Sequence, residues 1–248
     1  MISVEPAKKL IDIETDNEHE ISTDCVVGAA DSKDADPIRM PLRRIEFEPT
    51  VYTDYLKPAI DRVAALCGLL AFAIPMLIVA VLIACSMGRP ILFQQRRCGL
   101  NGKVFNVLKF RTMGKDRRQC NIRVRDDQRM THKSDDDPRH TQIGKVLRRY
   151  GLDELPQLIN ILRGDMSIVG PRPELESVVY GDYSENLKQR HLVRPGLTGL
   201  WQISARGNGP MHENGEWDLD YVEQISPLVD LKIICKTPFT MFSSNRGN

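Results

Sequence analysis

Residues 63–88 read VAALCGLLAFAIPMLIVAVLIACSMG, an uncharged run closed by Arg62 before it and Arg89 after it. At about 26 residues it exceeds the roughly 20 that a helix needs to span a bilayer. It is the only run of its kind in the chain, which excludes a polytopic membrane protein. Pro75 stands in its middle. A proline inside a helix removes one backbone hydrogen bond and presses on the preceding turn, so a kink or break is expected there. Both flanks are basic, with Lys57 and Arg62 before the run and Arg89, Arg96, Arg97 and Lys103 after it. Basic residues favour the cytoplasmic side, and a straight span would carry one of these flanks across. A helix–break–helix that enters and leaves on one side avoids that conflict. Each arm of about 12 residues would reach about 18 Å into a core about 30 Å thick. A proline-kinked single span stays open as the alternative. Either reading puts the protein in a membrane.

Outward from the run, the chain divides by charge. Residues 1–50 read as a disordered acidic tail: Glu14, Asp16, Glu18, Glu20, Asp31, Asp34 and Asp36 are not accompanied by any sustained apolar period. Such a stretch buries too little to offset its ordering entropy. Residues 51–90 then form the membrane segment and residues 91–248 a compact cytosolic domain. The net charge of +1 gives no reason to expect nucleic acid as a partner. The six cysteines form no CxxC pair, so neither a disulfide framework nor a zinc ribbon is indicated.

Past the run, Ile91 to Phe93 and Lys103 to Lys109 read as short strands around a Gly99-Leu100-Asn101-Gly102 turn. Asp116 to Arg139 is a long charged insert. Gly144 to Tyr150 and Leu155 to Leu162 carry helical apolar spacing. Trp217 to Ile225 and Leu228 to Phe242 are amphipathic and suit either a membrane surface or a core.

Five constellations can carry chemistry. Asp153 and Glu154 lie between Gly151, which ends one element, and Pro156, which suits a first helical turn. The pair reads either as a helix cap with dipole-favoured acids or as a reactive carboxylate facing cations. Phosphoryl transfer needs a nucleophile, a cation and positive side chains, and Asp153 could supply the first and bind Mg²⁺. In Gly170-Pro171-Arg172-Pro173-Glu174, two prolines restrict the backbone around Arg172, which could then grip a phosphate with little entropy left to lose. Lys109 and Arg111 share one strand face and could meet a diphosphate or a lipid headgroup, or simply face solvent. Arg148 and Arg149 have the same two readings. The stretch from Arg194 to Gln202 packs turn residues against Trp201.

Taken together, Lys109-Phe110-Arg111-Thr112-Met113, Leu152-Asp153-Glu154-Leu155-Pro156-Gln157-Leu158, Gly164-Asp165-Met166-Ser167, Val169-Gly170-Pro171-Arg172-Pro173 and Arg194-Pro195-Gly196-Leu197-Thr198-Gly199 resemble the bacterial sugar transferase family. These are monotopic phosphoglycosyl transferases acting on polyprenyl phosphates. The likeness runs from about Tyr55 to about Thr237. Each motif alone is weak, but their order behind a proline-broken apolar run is specific.

The resemblance implies an α+β, mainly helical fold: one proline-broken re-entrant membrane helix, a compact catalytic domain with amphipathic interfacial helices, and a short β-hairpin. It implies transfer of a hexose 1-phosphate from a UDP-sugar to undecaprenyl phosphate, with release of UMP, as the first step of exopolysaccharide assembly. Asp153 matches the nucleophile that forms a covalent phospho-sugar intermediate and Glu154 its acidic partner. Mg²⁺ is the implied cofactor, with Asp153 as its ligand. Arg148 and Arg172 match arginines near the bound phosphate, and UDP-galactose or UDP-glucose is the implied donor. The implied location is the cytoplasmic face of the bacterial inner membrane, and a homodimer is compatible with it. One departure is Ile74, where family members often carry a serine before the proline. A membrane-tethered scaffold and a CDP-alcohol type phosphotransferase are the competing readings. The first would release no UMP; the second relies on several spans and several spaced aspartates.

Overall fold

The computed structural model describes residues 44–114, 141–181, 183–204 and 215–242. The expected disorder of the acidic tail up to residue 43 and the charged insert at 116–139 lie outside those residues. The end of the tail as drawn at residue 50 is corrected. Ile45 is buried, Phe47 packs beside it on the core, and the Ile45 amide donates to Gln189 Oε1 at 2.6 Å. The two-residue spacing of Ile45 and Phe47 puts both side chains on one side of an extended segment.

A π-helical turn, Tyr52–Leu56, leads into α1 (Lys57–Ala71), and α2 (Ala73–Met87) follows at a bend of 62°. No single described helix is long and apolar enough to cross a membrane; this bent pair passes on length and composition taken together. The break falls at Phe72 (φ −98°, ψ 9°) and not at Pro75 itself. Pro75 is the third residue of α2, where a missing N–H is tolerated because first-turn amides lack intrahelical acceptors. Its influence is exerted on the preceding turn. Leu70, Ile74 and Leu77 on the pair point outward.

The hairpin is longer than expected. Strands β1 (Leu92–Cys98) and β2 (Val104–Phe110) pair antiparallel without a gap, from Leu92 opposite Phe110 to Cys98 opposite Val104. Asn101 (φ 53°) and Gly102 (φ 74°) make the left-handed turn between them. The polar run Gln94-Gln95-Arg96-Arg97 hides the first strand in the sequence, because pairing with β2 and not apolar alternation holds it. After α3 (Gln142–Arg149) and α4 (Gln157–Arg163) come β3 (Ser167–Val169) and β4 (Glu174–Leu175). The two-residue β4 adds to the free edge of β1, with Cys98 opposite Glu174.

Short α5 (Glu176–Gly181) and α6 (Glu185–Lys188) lead to β5 (Gly196–Thr198), which pairs parallel with β3. A Cβ on Gly196 would stand 2.1 Å from the Gly170 nitrogen, and one on Gly170 would stand 2.4 Å from the Arg194 carbonyl oxygen. Only hydrogen fits at either position, and that contact seats the proline-arginine-proline loop on the 194–199 segment.

The chain closes, among the described residues, with α7 (Leu200–Ser204), α8 (Glu216–Gln224) and α9 (Pro227–Phe242). Helix α8 is a core helix: Leu219, Tyr221 and Val222 are buried. Helix α9 is two-faced. Asp230 and Ile233 point inward, whereas Leu228, Leu231, Ile234 and Phe239 are exposed.

A buried polar knot ties these helices to the foot of α1. Asp230 accepts from Lys57 Nζ at 2.5 Å, from the Tyr52 hydroxyl at 2.6 Å and from the Tyr221 hydroxyl at 2.7 Å. Asp61 accepts from Ser167 Oγ at 2.6 Å, joining α1 to β3.

Candidate active site

The acid pair sits in a turn built by its neighbours. Thr141 caps α3, its hydroxyl accepting from the Gly144 amide at 3.0 Å. Gly151 ends that helix in the left-handed region at φ 67°, a conformation that costs glycine little. Leu152–Glu154 then form one 3₁₀ turn, and α4 starts after Pro156, which holds the N-cap position. Asp153 is therefore not the N-cap of α4, although both acids lie in the first turn of the helical stretch that leads into it. Its side chain is largely buried, with 9% of the residue exposed.

Helix α4 is pinned to the hairpin by Asn160, a residue the sequence reading passed over. Its amide, fully buried, accepts from the Leu108 N–H at 3.0 Å and donates to the Asn106 carbonyl at 2.8 Å. One side chain thus stands in for a neighbouring strand along the outer edge of β2. The signal was present as a lone amide inside Leu158-Ile159-Asn160-Ile161-Leu162.

This pinning brings Lys109 to the acid turn. Lys109 Nζ lies 2.8 Å from Glu154 Oε1, and Arg172 Nη2 lies 3.7 Å from the same oxygen. Both cations and Glu154 line a small, open cleft together with Arg97, Gln157 and Gly196. The lining thus carries three cationic side chains against one carboxylate, which suits an anionic ligand with several charges.

Arg97 was not singled out in the sequence. It comes from β1, donates to Glu174 Oε1 at 3.0 Å and to the Pro173 carbonyl at 3.1 Å, and so reaches the loop that carries Arg172. Burial lowers its pKa to about 10, with Arg172 adding to that and Glu174 opposing it. The guanidinium is charged at neutral pH all the same.

The remaining predicted residues divide. Arg148 is in the last turn of α3, half-buried, one glycine-led turn before Asp153. Arg111 does not join the cleft. Its guanidinium turns onto the end of α2 and donates to the carbonyls of Met87 at 2.5 Å and Gly88 at 2.6 Å. The last carbonyls of a helix lack intrahelical donors, so a cation there is well placed. Two residues further along than Lys109, it lies just past the end of β2.

His191 is buried, and its Nε2 has no hydrogen-bond partner. Burial, with Arg190 adding, lowers its pKa from 6.5 to about 4; a hydrogen bond to the Gly99 backbone opposes this only weakly. The folded state therefore keeps this ring neutral where the unfolded chain would protonate it. Its contribution is intact above pH 6.5 and is lost progressively as the pH falls from 6.5 towards 4. Between pH 7 and pH 5 the loss is about 2 kcal/mol. Unfolding midpoints at both pH values should fall further for the native chain than for His191→Gln. Equal falls in the two would refute this account.

A profile of the family described as bacterial sugar transferase matches residues 52–244. The exopolysaccharide production protein ExoY of Sinorhizobium fredii is 42% identical over 189 residues, 73% of this chain and 83% of that protein. The galactosyl transferase CpsE of Streptococcus agalactiae is 43% identical over 154 residues, covering 60% of this chain and 34% of its own length. The UDP-glucose:undecaprenyl-phosphate glucose-1-phosphate transferase of Escherichia coli is 39% identical over 194 residues, 75% of this chain and 40% of that protein. The matched span takes in the bent helix pair, the acid turn and all three cationic residues of the cleft, and the chain belongs to the bacterial sugar transferase family.

Proposed function

We propose that this enzyme transfers a hexose 1-phosphate from a UDP-sugar to undecaprenyl phosphate, releasing UMP and opening exopolysaccharide assembly. The observation that carries the proposal is the Glu154 carboxylate, bracketed by Lys109 at 2.8 Å and Arg172 at 3.7 Å one residue along the chain from Asp153. Cations already arranged around a site need no reorganisation when phosphate charge enters it. The names of relatives, one a galactosyl transferase and another acting on UDP-glucose, make UDP-galactose and UDP-glucose the leading donors.

In the first step, a carboxylate oxygen of Asp153 attacks the phosphorus that bears the sugar. The bond to the UMP oxygen breaks, and UMP leaves with the electron pair. In the second, an oxygen of undecaprenyl phosphate attacks the same phosphorus, the Asp153–phosphorus bond breaks and the carboxylate is restored. Dividing the transfer lets one site serve a water-soluble donor and a lipid acceptor in turn. Lys109, Arg172 and Arg97 hold the phosphate oxygens, a role that the family resemblance also gives to Arg148.

The donor set fits Mg²⁺, which takes one or two carboxylates and completes its shell with water and substrate phosphates. Asp153 and Glu154 would hold it; no cluster of three metal-binding side chains occurs among the described residues, so the ion would be shared with the diphosphate. Bound there, it would neutralise charge on the phosphoryl oxygens.

The bent pair enters and leaves the cytoplasmic face of a bacterial plasma membrane in this reading. Each arm of 15 residues is about 22 Å long, short of a core about 30 Å thick. The exposed apolar face of α9 suits a place on the membrane surface. The test is UMP release in detergent with magnesium, screened across UDP-sugars, with and without undecaprenyl phosphate. One or more donors should give a single equivalent of UMP without acceptor and turnover with it. No UMP from any donor would end the proposal.

A further inference from the structure

We propose that the buried Arg190–Asp218 pair sets the position of Arg172, making Arg190 a positioning residue for the donor phosphate. This rests on the reading of Arg172 as a phosphate ligand. The side chains of both partners are fully buried and in direct contact, and Arg190 Nη1 donates to the Tyr183 hydroxyl at 2.5 Å. Burial opposes the charged guanidinium, but Asp218, Tyr183 and Glu174 together outweigh it and raise its pKa. Such a pair contributes little net stability compared with apolar residues of the same volume, so its presence calls for another account.

The geometry supplies one. Arg190 Nη2 also donates to the Arg172 carbonyl at 2.7 Å. The two flanking carbonyls are captured as well: Pro171 O accepts from the Gly196 amide at 2.8 Å, and Pro173 O from Arg97 Nη1 at 3.1 Å. Three consecutive carbonyls are thus taken by donors from three separate elements. Prolines on either side fix φ at 171 and 173. The Arg172 backbone is thereby restrained on both sides, and its side chain lines the cleft near Glu154. A guanidinium does this through two separated nitrogens, Nη1 to Tyr183 and Nη2 to Asp218 and the Arg172 carbonyl, whereas an ammonium offers its donors from a single point.

The experiment is a double-mutant cycle on UMP release, with Arg190→Lys, Arg172→Ala and the double variant. Lysine keeps the charge opposite Asp218 but offers its donors from a single point. In the native background, Arg190→Lys should lower kcat/KM roughly 10- to 100-fold, mostly through KM for the UDP-sugar. In the Arg172→Ala background the same change should cost less than about threefold, since the group it positions is gone. Losses that multiply in full would show a general structural role and overturn the proposal. If Arg172→Ala alone leaves kcat/KM unchanged, the phosphate-ligand reading fails, and the positioning role falls with it. Unfolding midpoints accompany each variant. Should Arg190→Lys not fold, Tyr183→Phe removes one acceptor without opening a cavity. Its loss of about threefold should vanish when Arg172 is absent, and its persistence there would count against the proposal.

Discussion

Asp153→Asn yields a folded protein whose UMP release falls by at least about 1000-fold and which forms no sugar-phosphate adduct. The amide matches the carboxylate in shape, so a side chain that is 9% exposed is replaced without a cavity or a clash. What changes is chemistry: an uncharged amide oxygen is a poor nucleophile towards phosphorus. A labelled donor, incubated with native enzyme and no acceptor, should leave one equivalent of label on the protein. The variant should carry none, with an unfolding midpoint close to that of the native chain. Glu154→Gln should retain more activity, because Glu154 answers Lys109 and Arg172 and does not itself attack. Full activity in Asp153→Asn would remove the covalent route altogether.

The largest effect on stability is expected at the buried polar knot around Asp230. Asp230→Ala withdraws the acceptor shared by Lys57, Tyr52 and Tyr221 and leaves the buried Lys57 ammonium only the longer Asp61 contact at 3.9 Å. Breaking a buried pair from one side costs about 3–5 kcal/mol. For a chain of this size that is a fall in the unfolding midpoint of roughly 10 °C. Asp230→Asn, which retains an acceptor, should lose about half as much. The Lys57→Met, Asp230→Ala double variant should recover only part of the loss, because the buried Asp61 then lacks the ammonium 3.9 Å from it. A fall of under about 1 kcal/mol in Asp230→Ala would show that water reaches the knot.

Much of the fold was legible where one physical term dominates over many residues. The apolar run with its central proline forecast a bent pair, and the Gly99–Gly102 stretch forecast a hairpin. The family serine absent at Ile74 proved no obstacle to the bend. The Phe72 amide still donates to the Gly68 carbonyl at 2.9 Å and the Met76 amide to the Phe72 carbonyl at 2.8 Å, so a single residue absorbs the turn. The exposed Ile74 side chain faces away from the protein.

What escaped the sequence was held by partners distant along the chain. Strands β3, β4 and β5 are two or three residues long, too short for any periodicity to register. Lys109, Glu154 and Arg172 were named from local pattern, and their convergence on one oxygen is a product of tertiary packing through Asn160. Arg97 and Arg111 are both arginines beside paired strands, yet one faces the cleft and the other closes a helix end. Only the location of the unpaired carbonyls decides between them.

The touching backbones at Gly170 and Gly196 also bear on how such a sequence can drift. Neither position accepts a methyl group while the other loop stays put, so a change at one must await a compensating shift of the entire opposite segment. Donor preference is therefore freer to diverge at the rim of the cleft than at this seam, and variation among kindred chains should thin out on both sides of it together.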